Sequence, residues 1–341
     1  MKLREVSRIK VGGAPRTVVL TAKSVVVGDP DAGLAIYARA TKKRVAALPA
    51  GTLQAVSPSA SLGVMVLEGA TRAGRYAWAV ELWDLARGKR VAALARCTPD
   101  DQLDSFVLTD TAVWAIRTEV SGAARTWSLV KLDHAGKQLA SIALATKVAP
   151  FHLALGGSIA VWAYFDGKAG IVENPSGKQA PLAGGALRVG RRHELGISEL
   201  ALASSGEFAL AASSGAKRVI VWDLATRKAA AGPWATGDAK HARFLGHRVC
   251  WWADGSELHV APVTGGPAQT MRTGGPGRLA PLGDDRHVVW AGATGFELWD
   301  VAAARRVATL KARHPVTCLD AAGSTIVAGD DHGEVVVVDA A

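Results

Sequence analysis

An all-β fold assembled from one repeated unit of short strands is what this sequence predicts, and three observations predict it. The hexapeptide KRVAAL occurs at 43–48 and again at 89–94, with the near copy RRVATL at 305–310. The likeness runs upstream of it: IYARATKKRVAAL (36–48) aligns with LWDLARGKRVAAL (82–94) and LWDVAAARRVATL (298–310). VWDLATRKAAA from Val221 and LDHAGKQLASIAL from Leu132 keep the same order of apolar run, acid, small turn and second apolar run. Third, SVVVGD, RVIVWD, RHVVWAG and GEVVVVD are short, rich in Val and Trp, and bounded by Gly, Asp and Ser, as strands and tight hairpins are.

The position of Asp84 serves as a marker for the unit. Its equivalents stand at Ala38, Asp133, Glu173, Asp223, Pro262, Asp300 and Asp339. A spacing of about 40 to 45 residues without helical periodicity is that of a β-propeller blade of four antiparallel strands. Residues 24–48 show the local order: SVVVGD, a turn at DPDAG, LAIYAR, a turn at ATKK, then RVAALP. The markers count eight blades, with seven as the alternative because Glu173 and Pro262 rest on weak patterns.

The last unit supplies only three strands, and REVSRIKV at 4–11 has the basic-then-apolar look of a KRVAAL strand. The expectation is therefore a closed propeller forming a single domain over 1–341. Residues 1–12 complete the last blade, 13–315 form successive blades, and 316–341 give the first three strands of the last. Such closure removes an open sheet edge. KRVAAL then reads as the outermost strand of its blade, with cations at its start that discourage pairing with another molecule and with Val and Leu packed inward.

The dipeptides Trp83-Asp84, Trp222-Asp223 and Trp299-Asp300, the stretch ELALASSGEFALAASSGAKRVIVWDLATRK at 199–228 and AGDDHGEVVVVD near the C-terminus carry a resemblance. The chain resembles the WD-repeat β-propeller family. That resemblance implies a tetrad of His, Ser or Thr, Asp and Trp in well-formed repeats. His193 precedes the repeat with Trp222 but the turn SGAK has no Asp; His314 and Asp331 suit the last repeat, where Val338 replaces the Trp. With no complete tetrad, the resemblance is to a degenerate, bacterial member held together by apolar packing.

Apolar residues make up 49% and charged residues 21%, which indicates a globular chain rather than a disordered one. MKLREVSRIKVG lacks the apolar core of a secretory signal, and apolar runs break well before the roughly 20 residues of a membrane span. A cytoplasmic, monomeric protein without membrane contact is expected. Cys97, Cys250 and Cys318 lie far apart without a CxxC pair and read as free, partly buried thiols.

The net charge of +10 raises nucleic acid, an anionic membrane or an acidic protein partner as ligands. A nucleic-acid surface gathers basic residues beside exposed aromatics, whereas here the basic residues are spread over strand starts and the Trp residues lie in apolar strands. ATRAGRY (70–76) and RVGRRHE (188–194) break the even spread. Arg72, Arg75, Arg191, Arg192 and His193, together with Asp331 and His332, are the candidate partner-binding residues; solvated loop charge is the plain alternative.

The acidic stretches TPDDQLD (98–104), GDDRH (283–287) and GDDHGE (329–334) have the residues of tight turns and not the alternating oxygen ligands of a calcium loop. There is no HExxH, no GxSxG and no phosphate loop, so no metal, cofactor or catalytic residue is expected. DLARGK and LDHAGK also resemble the turn of eight-bladed quinoprotein dehydrogenases, but the Trp that follows the Lys there is missing. The functional expectation is a non-catalytic scaffold that binds a protein or peptide, an acidic one among the options, through one propeller face. A nucleic-acid-binding propeller using the basic loop patch is the alternative, and a quinoprotein-like enzyme stands behind both.

Overall fold

The computed structural model describes residues 1–29, 33–70, 76–146, 148–164, 168–173, 176–183, 197–213, 215–236, 239–253 and 256–341. All its regular structure is strand, and no helix is long and apolar enough to cross a membrane among these residues.

The chain starts with β1 (Leu3–Lys10). Blade 1 holds β2 (Thr17–Leu20), β3 (Ser24–Asp29), β4 (Gly33–Ala38) and β5 (Arg44–Ala47). In blade 2 are β6 (Thr52–Val56), β7 (Leu62–Ala70), β8 (Tyr76–Asp84) and β9 (Lys89–Cys97). Blade 3 comprises β10 (Asp101–Leu108), β11 (Val113–Ser121), β12 (Ala124–Leu132) and β13 (Gln138–Ala143). Blade 4 follows with β14 (Pro150–Gly156), β15 (Ile159–Tyr164), β16 (Ala169–Glu173) and β17 (Gln179–Pro181). Blade 5 is β18 (Glu199–Leu202), β19 (Phe208–Ser213), β20 (Arg218–Asp223) and β21 (Lys228–Ala235). Blade 6 is β22 (Lys240–Leu245), β23 (Arg248–Ala253), β24 (Glu257–Pro262) and β25 (Gln269–Arg272). Blade 7 is β26 (Gly277–Pro281), β27 (His287–Gly292), β28 (Gly295–Asp300) and β29 (Arg305–Leu310). The last blade takes β30 (Val316–Ala322), β31 (Thr325–Asp330) and β32 (Glu334–Ala340), and its order is β1-β32-β31-β30.

This is an eight-bladed propeller of four-stranded antiparallel sheets whose N-terminal strand pairs with the C-terminal one. Every marker falls at the end of a third strand. Ala38, Asp84, Glu173, Asp223, Pro262 and Asp300 are the last residues of β4, β8, β16, β20, β24 and β28; Asp133 follows β12 directly and Asp339 is the penultimate residue of β32. Glu173 and Pro262, the weak markers, close the third strands of real blades, so the count is eight and not seven.

The recurring Asp has a local reason to be there. Asp84 Oδ1 accepts from the N–H groups of Ala86 and Arg87, both at 2.9 Å; Asp133 Oδ1 does the same for Ala135 and Lys137, and Asp300 Oδ1 for Ala302 and Ala303. A carboxylate that satisfies two turn amides starts the hairpin to the fourth strand.

Contacts gather the chain into two compact units: unit 1 is Met1–Val6, Val148–Ile326 and Val337–Ala341, and unit 2 is Ser7–Lys147 and Val327–Val336. Within each unit the core lies between consecutive blades. In unit 2, Val26, Ile36 and Leu48 pack with Met65 and Leu85, and Val80, Leu82 and Leu94 pack with Val113, Ala115 and Val130. In unit 1, Val161 and Ile171 meet Ile220 and Trp222, Leu210 and Val219 meet Val249 and Trp251, and Trp252 and Leu258 meet Val288 and Trp290. Middle strands are covered on both faces, which is why β19, β23 and β27 read as unbroken apolar runs and not as alternating ones.

The KRVAAL strands are indeed the outermost of their blades. The inward Val is a correction. Val45 and Val91 are 54% and 48% exposed, while Leu48 and Leu94 are buried and Ala46 and Ala92 face the core. Val and Leu stand three positions apart, and a strand with a side-chain period of two cannot turn both to one face.

The turn before the fourth strand of one blade comes close to the fourth strand of the blade before it. Gly88, with φ of +63°, sits so close to Ala46 that a Cβ would collide with its methyl; a Cβ on Gly136, φ +86°, would lie 2.6 Å from the Ala93 carbonyl. In unit 1, a Cβ on Gly265 would lie 3.5 Å from the Ala230 carbonyl of β21, an ordinary contact distance. All three thiols are buried, more fully than the sequence suggested, and burial pushes the Cys250 thiol up to about 12.

Candidate partner-binding site

In unit 1 the first strands of consecutive blades bring polar side chains into contact. Glu199, the first residue of β18, accepts on Oε1 from the His241 N–H at 2.6 Å and on Oε2 from Arg243 Nη1 at 3.0 Å. Both donors lie on β22, whose register against β23 shifts between Lys240 and Arg243. This bulge puts His241 at φ +55°, the left-handed region that a side-chain-bearing residue seldom adopts, and re-aims the main-chain N–H toward Glu199.

Arg278 on β26 extends the contact. Its Nη1 donates to His241 Nε2 at 3.3 Å and its Nε to the Thr317 carbonyl on β30 at 3.0 Å. Arginine has no acceptor, so Nε2 accepts and the proton of a neutral His241 is on Nδ1. On β14, half-buried His152 has its pKa lowered by burial, against which a hydrogen bond with the Ile197 backbone and the Glu199 charge push upward. The row holds two guanidinium groups and one carboxylate. Arg278 is exposed and has no carboxylate ion pair among the described residues. An anionic group placed there meets a cation that no carboxylate pairs with among the described residues.

Of the residues expected at the site, Arg72, Arg75, Arg191, Arg192 and His193 lie outside the described residues. Asp331 and His332 are exposed in the turn between β31 and β32. The acid that builds that turn is Asp330: its Oδ1 accepts from the N–H groups of His332 at 3.0 Å and Glu334 at 2.9 Å, and Arg8 Nη1 reaches Glu334 Oε2 at 2.7 Å. The other acidic stretches are used similarly. Asp101 makes two hydrogen bonds to Arg117, at 2.8 and 2.7 Å, and Asp284 accepts from the N–H groups of Arg286 and His287.

None of the row from His152 to Thr317 was singled out by the sequence. The units align on the third and fourth strands, where WD and KRVAAL recur, while the first strands differ from blade to blade and several of them, β6, β10, β14 and β22, are shifted in register. The one available signal was Glu199 standing at the start of the stretch most like a WD repeat.

Eight of the eleven Trp residues are buried and the other three are half-buried. The fold is one seen before. The chain is similar to the computationally designed Ika8 protein (TM-score 0.70, 15% identity, 97% of this chain and 99% of that one covered). It is similar to BamB from Moraxella catarrhalis (TM-score 0.64, 15% identity, 99% and 98% covered). It is also similar to the Myceliophteria thermophila Cps50 (Swd1) β-propeller domain (TM-score 0.60, 12% identity, 99% and 100% covered). No protein-family model and no curated protein sequence matches the chain. At these identities the likeness is one of fold.

Proposed function

We propose that this protein is a non-catalytic, WD-repeat-like scaffold that binds a protein or peptide partner through acidic side chains seated on the row Glu199–His241–Arg243–Arg278. The observation that carries the reading is Arg278: exposed, held in place by the Thr317 carbonyl and His241, and left without a carboxylate of its own among the described residues. A guanidinium oriented in advance by two hydrogen bonds loses little freedom when a carboxylate arrives. Neighbouring folds that include a designed propeller and a WD-like one fit a rigid framework whose function resides in surface side chains.

The test is fluorescence polarisation with labelled peptides containing runs of Asp and Glu, against amide-matched Asn and Gln controls. Tighter binding of the acidic set, weakened about tenfold or more by Arg278→Glu, supports the reading. Equal binding of the controls, or affinity untouched by Arg278→Glu, sinks it. Preference for an RNA or DNA oligonucleotide over every peptide would move the function to the nucleic-acid alternative.

A further inference from the structure

Unit 2 contains a cavity of about 420 Å³ lined by Gln54, Val66, Trp78, Asp104, Ser105 and Phe106. Two local irregularities create it. The pairing of β6 with β7 shifts between Leu53 and Ala55, at Gln54, and the pairing of β10 with β11 shifts between Asp104 and Val107, at Ser105 and Phe106. Ser105 takes φ +54° to do so. A bulge re-aims the side chains at its kink, and here the first strands of two consecutive blades are bulged toward one space. Its volume is within the range of small-molecule sites.

The lining is chemically one-sided. Asp104 makes no hydrogen bond or ion pair among the described residues, and the nearby guanidinium of Arg117 is taken by Asp101 and lies 3.3 Å from Glu119. Asp104 is accessible to solvent yet concavely enclosed, and loss of water raises its carboxyl pKa. Trp78 and Phe106 add half-buried aromatic surface to the same walls, and Gln54 a polar amide. No cationic side chain belongs to the lining among the described residues.

We propose that this pocket binds an organic cation, a guanidinium group above all, with Asp104 as its counter-ion and Trp78 and Phe106 as its aromatic walls. The planar guanidinium matches the set because it pairs with a carboxylate through two parallel N–H groups while its faces stack on aromatic rings. A neutral isostere keeps the shape and loses the charge. An anion meets the Asp104 carboxylate and is repelled. This site belongs to unit 2 and selects the opposite charge from the Arg278 row of unit 1, so it stands without the acidic-partner reading.

The experiment uses the full chain with n-butylguanidinium, its neutral counterpart n-butylurea, and the capped tripeptide Gly-Arg-Gly. Binding is followed by calorimetry and by the indole N–H signals of the eleven Trp residues, with that of Trp78 assigned from its loss in Trp78→Phe. Saturable binding of butylguanidinium that shifts the Trp78 signal, with butylurea at least about tenfold weaker and Asp104→Asn weakening the cation by a similar factor, bears the proposal out. Asp104→Asn changes no shape and its melting curve checks the fold; should it fail to fold, the butylurea comparison on the unmodified protein decides alone. A tripeptide that binds about tenfold tighter than butylguanidinium makes the natural ligand an arginine side chain, and equal affinity makes it a free small cation. Equal affinity for butylurea, an unchanged Asp104→Asn variant, or no saturation by either cation at millimolar concentration overturns the proposal.

Discussion

Arg306 Nη1 lies 2.9 Å from Glu297 Oε1, joining the fourth strand of blade 7 to its third through a carboxylate that is only 6% exposed. Trp299 Nε1 donates to the other Glu297 oxygen at 3.0 Å, and the Arg306 guanidinium stands 5.9 Å from the centroid of the Trp299 ring. Blade 2 repeats the set, with Arg90 on Glu81 Oε1 at 2.9 Å and Trp83 on Glu81 Oε2 at 3.0 Å. The second basic residue of KRVAAL thus answers a buried acid, and edge protection is left to its neighbours. The copy at 36–48 has Ala35 where the acid stands and lacks the set.

Arg306→Ala leaves a nearly buried carboxylate without its cation, though half-exposed Arg306 limits the loss. The expected cost is about 1–2 kcal/mol in urea unfolding. Exposed Arg305→Ala should stay within about 0.5 kcal/mol. A double-mutant cycle with Glu297→Gln should return a coupling of about 1 kcal/mol; zero coupling would mean that Arg306 contributes only its packing over Trp299.

Gly88 and Gly122 separate backbone strain from packing. Both have positive φ, +63° and +61°, but nothing lies within 4 Å of a Cβ on Gly122, whereas one on Gly88 meets Ala46. Gly122→Ala should cost about 1–2 kcal/mol from the left-handed conformation alone. Gly88→Ala should cost a further 1–3 kcal/mol, roughly the range for overpacking. Equal losses in the two variants would show that the blades have room to give at this seam.

Asp300 predicts a pH dependence. Hydrogen bonds from Arg286 Nε at 3.0 Å and Nη2 at 2.6 Å, with the two turn amides, bring its carboxyl down to about 2. In the unfolded chain it titrates near 4. Between those values the unfolded state binds the extra proton, so the stabilisation is fully present above about pH 4 and is lost as pH falls toward 2. Urea midpoints measured at pH 7, 4 and 2.5 should drop less steeply for Asp300→Asn than for the parent. Parallel curves would remove Asp300 from the acid response.

The architecture was legible because a propeller repeats its hairpins. The Trp-Asp dipeptides and the KRVAAL copies sit on third and fourth strands, whose turn chemistry is local and therefore written in consecutive residues. Even Glu173 and Pro262, which share only an apolar run before them, fell at third-strand ends. The contacts of Glu199 were not legible, since they join it to a main-chain N–H and a guanidinium 42 and 44 residues away through a bulge at His241 that no residue type announces. Nor was the Asp104 pocket, for the same reason: it depends on two register shifts, at Gln54 and at Ser105 and Phe106, in strands of different blades. The inward Val failed for a simpler cause, a parity error between Val45 and Leu48.

The N-terminal strand gives the last test. Lys2 and Ala341 exchange main-chain hydrogen bonds at 2.5 and 3.0 Å, the Val11 N–H donates to the Gly333 carbonyl at 2.9 Å, and Arg8 pairs with Glu334 at 2.7 Å. Ile9 is 1% exposed and Leu3 is 9% exposed. Removing residues 1–12 strips these partners from β32 and leaves its edge unpaired. The melting temperature should fall by about 10 °C or more, given roughly 2–4 °C per kcal/mol for a chain of this order, and the exposed edge of β32 should promote association. A synthetic peptide of residues 1–12 added in excess should restore most of the loss by mass action. A truncated protein that melts at the parent temperature would mean that the terminal strand is paired without stabilising the last blade.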